Sequence, residues 1–241
     1  MQNVTCKTDK GKLRQNNEDS LLCIEEHNFY MVADGVGGHN SGELASKLAV
    51  DYVRAYINNN PILVADDIYL KNYFLNCLKE VNTIIYDRAS KTIEDQGMAT
   101  TAALLYIRDN KAYVVNVGDS RAYLAREGQL LQITEDHTYV NELLKRGSIS
   151  LEEAKDHPKR NMITRALGSE ESIEPDFYKF DIYKGDIILL CTDGLYNEID
   201  VNEINRLITN STDTNTIAHK LVTRANEQGG KDNITVICVE I

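Results

Sequence analysis

Three apolar runs of this chain each reach an aspartate as they end: FYMVA meets Asp34, KAYVVNV is followed by Gly118 and Asp119, and DIILLC by Thr192 and Asp193. A fourth aspartate, Asp232, stands directly before the last apolar run, NITVICVEI. Runs of this kind, rich in Val, Ile and Tyr, are strand formers. Paired strands bring distant segment ends to a common edge, so the chain must build a sheet whose edge gathers carboxylates. An Asp-Gly step also suits a plain turn, because Asp tolerates turn geometry and Gly supplies positive φ. Turn chemistry does not explain the same address four times over. Like charges held close raise one another's pKa unless a cation neutralises them, and the pattern predicts a site for divalent metal.

Composition agrees with a folded, cation-seeking chain. The 241 residues are 42% hydrophobic with three Pro and a net charge of −11, without a low-complexity tract, solenoid repeat or linker. One domain over 1–241 is expected, with an inserted lobe at about 137–176. The acidity excludes a protein that grips a nucleic-acid backbone through Lys and Arg. No apolar run approaches the roughly 18 residues of a membrane span, and MQNVTCKTDKGKLRQ has no apolar leader segment, so a cytoplasmic monomer away from the membrane is expected. The five cysteines, Cys6, Cys23, Cys77, Cys191 and Cys238, are odd in number, lack C-x-x-C spacing and mostly lie in apolar runs, which reads as reduced core.

Along the chain, VTCKT, DSLLCIEE and FYMVA read as strands. Residues 41–60 place Leu44, Leu48, Tyr52, Val53, Tyr56 and Ile57 at helical spacing, with Ser41 and Glu43 at the capping end. Residues 67–91 repeat the pattern through Leu70, Phe74, Leu78, Val81 and Ile85, predicting a second helix antiparallel to the first. Residues 98–136 read as an antiparallel meander with Asp-Asn and Glu-Gly turns, and 137–176 as an irregular lobe. FYKFDIYKGDIILLCTDG returns to strands, TIAHKLVTRANEQGG is a helix stopping at a Gly pair, and NITVICVEI closes as a strand. The class is α+β.

Carboxylates without His or Cys at zinc spacing suit Mg²⁺ or Mn²⁺. Two such ions about 3.5–4 Å apart activate a shared water for in-line displacement at phosphorus, so phosphate-ester hydrolysis is the predicted chemistry. In RQNNED, Arg14 offers a planar fork for phosphate oxygens, although the stretch also reads as a solvated turn. GVGGHNSG lacks the Gly-Lys-Ser/Thr of a nucleotide loop. His39 is a candidate proton donor, or a surface residue at a helix start.

Taken in order, RQNNED, VADGVGG, the GMATT of residues 97–101, VGDSR, ITEDHTYV, ITRALG, CTDGL and KDNITVI resemble the PPM family of metal-dependent protein serine/threonine phosphatases, the type 2C group, in its small bacterial branch. The resemblance implies a four-layer α-β-β-α fold, a β-sandwich of two antiparallel sheets flanked by helix pairs, with the lobe as a flap beside the site. It implies that Asp34 bridges two metals, that Gly35 lends its backbone carbonyl to one, and that Asp193 and Asp232 complete the pair. Asp19 and Glu18 resemble residues holding metal-bound waters, and Asp119 with Asp193 the ligands of a third, weaker ion. Arg14 matches the phosphate-binding arginine. Many eukaryotic members carry His directly after the Asp-Gly pair as the proposed general acid, where this chain has Val36; the acid stays unassigned, His39 and a metal-bound water being the alternatives. The implied activity is Mn²⁺- or Mg²⁺-dependent hydrolysis of phosphoserine and phosphothreonine in proteins by a metal-bridging hydroxide, opposing a Ser/Thr kinase that is itself among the expected partners. The rival readings are a hydrolase of small phosphate esters and a phosphoprotein-binding module without turnover.

Overall fold

The computed structural model describes residues 2–38, 41–63, 66–211 and 213–241. Its strands are β1 (Asn3–Asp9), β2 (Asp19–Ile24), β3 (Phe29–Val36), β4 (Ala99–Thr100), β5 (Ala102–Arg108), β6 (Lys111–Val117), β7 (Arg121–Arg126), β8 (Gln129–Gln132), β9 (Asp176–Asp181), β10 (Ile187–Cys191) and β11 (Ile234–Glu240). The helices are α1 (Ser41–Asn59), α2 (Asp67–Lys91), α3 (Tyr139–Lys145), α4 (Leu151–Lys155), α5 (Asp193–Tyr196), α6 (Val201–Thr209) and α7 (Ile217–Gln228).

Two antiparallel sheets form, one in the order β1-β11-β10-β7-β8 and the other β2-β3-β5-β6-β9 with β4 beside β3. Their facing sides share a core that includes Tyr30, Val32, Leu105, Val114, Leu190 and Ile237. On the outer face of the second sheet, Phe29, Met31 and Leu104 pack under Ala49, Val53, Phe74 and Leu78 of α1 and α2. Tyr123, Leu189 and Val236 of the first sheet pack under Ile204, Ile208, Leu221 and Val222 of α6 and α7. The result is the four-layer α-β-β-α sandwich. Among the described residues no helix is long and apolar enough to cross a membrane.

The long helices follow their patterns with one rotation. Asp66 caps α2, its side chain accepting from the amides of Ile68 and Tyr69 at 3.0 Å each, and the expected stripe from Leu70 to Ile85 is buried. Tyr52 bonds Glu80 and the Tyr56 ring meets Tyr73, so α1 and α2 run antiparallel. In α1 the fully buried stripe is Ala45, Ala49, Val53 and Ile57, while Leu44, Leu48, Tyr52 and Tyr56 are only partly covered. Small alanines let the helix lie closer to the sheet than leucines would. Ser41 is no cap, because its hydroxyl donates to the Glu94 carbonyl at 3.0 Å.

The meander is split between layers. The Asp109-Asn110 and Glu127-Gly128 turns carry positive φ at both residues, as two-residue hairpins require. Yet β5-β6 belongs to one sheet and β7-β8 to the other, and residues 118–120 carry the chain across. Residues 10–18 make a second crossing, from β1 to β2. Other expectations also shift. β3 runs through Asp34 to Val36, because Gly35 and Val36 pair with Thr100 and Ala99, so Asp34 lies inside its strand rather than beyond it. β2 ends at Ile24 in a short 3₁₀ turn. Residues 137–176 hold α3 and α4, the latter closed by a Ser150/Glu153 capping box, and the segment is pinned by the bridges Thr138↔Ile163 and Thr100↔Leu167. The helix α6, capped by Asp200, is an element beyond those expected. Of the cysteines, Cys77 is helical and Cys6 is exposed, so neither is in a strand core.

Candidate metal centre

Period-two alternation accounts for how carboxylates come to be buried here. On each central strand the side chains facing the other sheet are aliphatic in the middle and polar at one end. The stripe Tyr30, Val32 continues to Asp34; Leu105, Ala103 to Thr101; Val114 to Asn116; Leu124, Ala122 to Ser120; Ile188, Leu190 to Thr192; and Val239, Ile237 to Thr235. These polar ends lie side by side: Asp19 opposes Asp34, the Thr192 amide donates to the Thr235 carbonyl at 3.0 Å, and the hydroxyls of Thr101 and Ser120 are 2.6 Å apart. Two of the layer crossings, residues 10–18 and 118–120, lie at this end and bring Arg14, Glu18 and Asp119 to it.

A cavity of about 310 Å³ opens there, lined by Arg14, Glu18, Asp34, Gly35, Val36, Asp119, Asp193 and Asp232. It is not the roomiest recess of the surface, since a cleft of about 590 Å³ runs along Lys71, Lys79 and Phe177. Asp34, Asp119 and Asp193 of its lining have displaced pKa values, as does Asp19, which opposes Asp34 in the ladder. Burial, with Asp193 and Asp232 nearby, holds the Asp19 carboxyl at about 7 despite hydrogen bonds from Thr235 and Thr192. Burial and then Asp193 bring Asp119 to about 7, and burial and then Asp232 bring Asp193 to about 6. Asp34 is pushed well above the carboxylate range by burial, then by Asp19 and Asp193.

Each group has a structural reason for its place. Gly35 packs on Gly42, whose carbonyl stands where a Cβ on Gly35 would go, and the Gly35 amide donates to the Glu18 carbonyl at 3.1 Å. Any larger residue would part β3 from α1. The Asp34 amide donates to Thr101 Oγ1 at 2.9 Å. Thr192 Oγ1 donates to Asp19 Oδ2 at 2.8 Å. Asp193 opens α5 and accepts from Asn197 Nδ2 at 2.9 Å. Asp119 is steadied through its backbone carbonyl, which accepts from Tyr196 Oη at 2.9 Å, and the Tyr196 ring lies 3.4 Å from the Arg121 guanidinium, itself clamped on Asp136 at 2.6–3.1 Å. At the rim, Arg14 pairs with Asp232 at 2.7 Å.

Among the described residues no three carboxylate, imidazole or thiolate side chains are drawn together into one ligand shell, with Asp232 engaged by Arg14. The donors nonetheless fit a hard divalent ion. Oδ1 of Asp19 and Oδ1 of Asp193 are buried with no hydrogen-bond partner, and the set is all oxygen, the preference of Mg²⁺ and Mn²⁺.

The structure thus brings Arg14, Glu18, Asp19, Asp34, Gly35, Asp119, Asp193 and Asp232 to one end of the sandwich. His39 lies outside the described residues, and Val36, 43% exposed, stands on the rim beside Gly35. Asn233 joins this end without being expected there: its Oδ1 accepts from the Glu18 amide at 2.7 Å while its Nδ2 donates to the carbonyls of Lys10 and Asn16, both at 2.9 Å. Thr101, Thr192 and Thr235 are further unexpected members, through their contacts with Asp34, Asp19 and one another. Polar residues at the inward positions of otherwise aliphatic strands were the signal.

Two antiparallel sheets between helix pairs, with a carboxylate-lined cavity at the end of the inter-sheet layer, are an architecture shared with known phosphatases. Known proteins make the assignment specific. The family model described as protein phosphatase 2C matches residues 10–234. The serine/threonine phosphatase stp of Listeria monocytogenes is 37% identical over 238 residues, 97% of this chain and 94% of that protein. The S. agalactiae serine/threonine phosphatase structure superposes with a TM-score of 0.93 at 31% identity, covering 100% of both chains. The catalytic domain of the serine/threonine protein phosphatase PstP, solved in complex with 2 manganese ions, gives 0.87 at 32% identity, covering 99% of this chain and 97% of that one. The chain therefore belongs to the protein phosphatase 2C (PPM) family, in its branch of small bacterial serine/threonine phosphatases, and is an enzyme of that class.

Proposed function

We propose that this phosphatase removes phosphate from phosphoserine and phosphothreonine of proteins, reversing the work of a Ser/Thr kinase, with two Mn²⁺ or Mg²⁺ ions held by Asp34, the Gly35 carbonyl, Asp193 and Asp232. Asp119, with Asp193, is the holder of a weaker third ion, and Asp19 and Glu18 stand behind the pair. The carrying observation is the convergence of Asp19, Asp34, Asp119 and Asp193, each raised in pKa and two of them with an unpartnered oxygen. The manganese-bound relative supports the choice of ion.

Such ions, when bound, supply Lewis acidity and lower the pKa of a water so that it can attack phosphorus. The chain's own residues do the rest. Arg14 leaves Asp232 to grip two phosphate oxygens with its planar fork. Thr192 and Asn197 fix the rotamers of Asp19 and Asp193, and the Gly35-Gly42 contact fixes the carbonyl of Gly35. Val36 presents an apolar wall beside the phosphate and no proton.

Phosphate release from phosphothreonine and phosphoserine peptides, set against small phosphate esters, tests the reading. Turnover that needs Mn²⁺ or Mg²⁺, stops with EDTA and gives higher kcat/KM on the peptides is expected. Metal-independent turnover, or a preference for small esters, would overturn it.

A further inference from the structure

Cys6 and Cys23 sit on β1 and β2, the edge strands of the two different sheets. Directly opposite Cys6 on β11 is Ile237, and opposite Cys23 on β3 is Tyr30; both partners belong to the core between the sheets. Residues opposed across an antiparallel ladder share a face. Both thiols therefore project into the inter-sheet layer at its open side, where β1 and β2 approach one another and each thiol perturbs the other's titration. Neither is in a disulfide, Cys6 is exposed and Cys23 half-buried, while Cys77, Cys191 and Cys238 are buried. The strands they occupy share no ladder, so only the loop of residues 10–18 joins this edge covalently.

The contact divides the labour between the two sulfurs. The hydrogen bond from Cys23 brings the Cys6 thiol down to about 7, against burial and the nearby Glu25, while the same contact, with burial, raises Cys23. An exposed sulfur that is substantially thiolate near neutrality is the reactive kind, and a neighbouring thiol that keeps its proton is placed to resolve it.

We propose that Cys6 and Cys23 are a peroxide-responsive thiol pair that closes into a disulfide stapling the two sheets together at their open edge. The Cys6 thiolate attacks one oxygen of hydrogen peroxide, the O–O bond breaks, and the departing hydroxide takes up a proton and leaves as water, so that Cys6 becomes a sulfenic acid. The Cys23 sulfur then displaces the sulfenic hydroxyl, its own proton departs with that hydroxyl as a second water, and the S–S bond forms. Two thiols are oxidised and one peroxide is reduced. The bond encloses residues 7–22, the segment that carries Arg14, Glu18 and Asp19, and restrains it in the unfolded chain. This inference stands apart from the phosphatase reading.

The test treats the reduced full-length chain with hydrogen peroxide, alkylates the remaining thiols under denaturing conditions and maps the peptides by mass spectrometry. A cross-linked peptide pair containing Cys6 and Cys23 is expected as the first product, reversed by dithiothreitol, with Cys77, Cys191 and Cys238 still alkylated. The thermal midpoint of the wild type rises by several degrees on oxidation and that of Cys23→Ser does not, and in Cys23→Ser the Cys6 sulfenic acid accumulates and is captured by dimedone. Oxidation of a buried cysteine first would overturn the proposal, as would Cys6 recovered in an intermolecular disulfide or as the sulfonic acid while Cys23 in the same molecules is still alkylated.

Discussion

The guanidinium of Arg14 closes on the carboxylate of Asp232, Nη2 to Oδ2 at 2.7 Å, across 218 residues of chain. The Arg14 side chain is 50% exposed and that of Asp232 34%, and a pair this open to water is worth about 1 kcal/mol or less. Arg14 is thus parked loosely on one of the proposed ion ligands and is free to exchange that carboxylate for a substrate phosphate.

Replacing Arg14 with Ala should therefore act on phosphate recognition and leave ion binding intact. A charge-assisted contact contributes on the order of 1.5–3 kcal/mol, so kcat/KM on a phosphopeptide should fall roughly ten- to a hundredfold, while calorimetry shows Mn²⁺ binding no weaker than in the wild type. Equal kinetics for the two proteins would reduce Arg14 to a solvated surface residue.

Asn233 ties the loop of residues 10–18, which carries Arg14, to the start of β11. Its side chain is buried and makes hydrogen bonds to the backbone of Glu18, Lys10 and Asn16. At about 1 kcal/mol for each bond lost, Asn233→Ala should destabilise the protein by about 2–4 kcal/mol in denaturant titration and raise KM through the loosened Arg14. A change within about 0.5 kcal/mol, the usual range for surface substitutions, would show that the loop is held by other means.

Much of this site was legible in the chain itself, and the reasons differ by residue. Asp34, Asp119, Asp193 and Asp232 announce themselves at the ends of apolar runs, because strands that pair must share an edge. Asp19 shares its face of β2 with Leu21 and Cys23, which are only half-buried, so the burial of its carboxylate was not legible in that alternation. The crossing between sheets at residues 118–120 was not legible, since two hairpins of one sheet and two hairpins of two sheets have the same alternation. The Arg14–Asp232 pair depends on that long-range closure and has no local signature. The helix α6 does have one, with Asp200 as cap and Ile204 and Ile208 four apart, and a closer reading of that stretch finds it.

Burial first, then Asp193 and Asp136, holds the Asp119 carboxyl at about 7 against an ordinary 3.8. A raised folded-state pKa means that the group's contribution is fully present below pH 3.8 and is lost as the pH climbs through 7. Metal-free Asp119→Asn should consequently melt above metal-free wild type at pH 8, with the gap closing by pH 4. Mn²⁺ should also raise the wild-type midpoint more at pH 8 than at pH 5, because the ion binds the deprotonated carboxylates. A gap independent of pH would contradict this account of Asp119.

The same residue has a kinetic signature. A seryl or threonyl alkoxide needs a proton as it leaves and p-nitrophenolate does not, and among the described residues no imidazole lines the cavity to supply one. If Asp119 serves the leaving group, Asp119→Ala should keep two tightly bound ions by calorimetry yet lose more activity on phosphopeptides than on p-nitrophenyl phosphate. Equal losses on the two substrates would place its role elsewhere.

The central claim is that hydrolysis depends on ions held by the buried carboxylates, and Asp34 is the one on which most of the proposed geometry rests. The direct measurement is turnover of a phosphothreonine peptide by Asp34→Asn beside the wild type, over a full range of Mn²⁺ concentration, with folding verified by circular dichroism. Loss of several kcal/mol of transition-state stabilisation predicts a fall of roughly a thousandfold that no concentration of Mn²⁺ restores. Wild-type turnover by the folded variant would contradict the account.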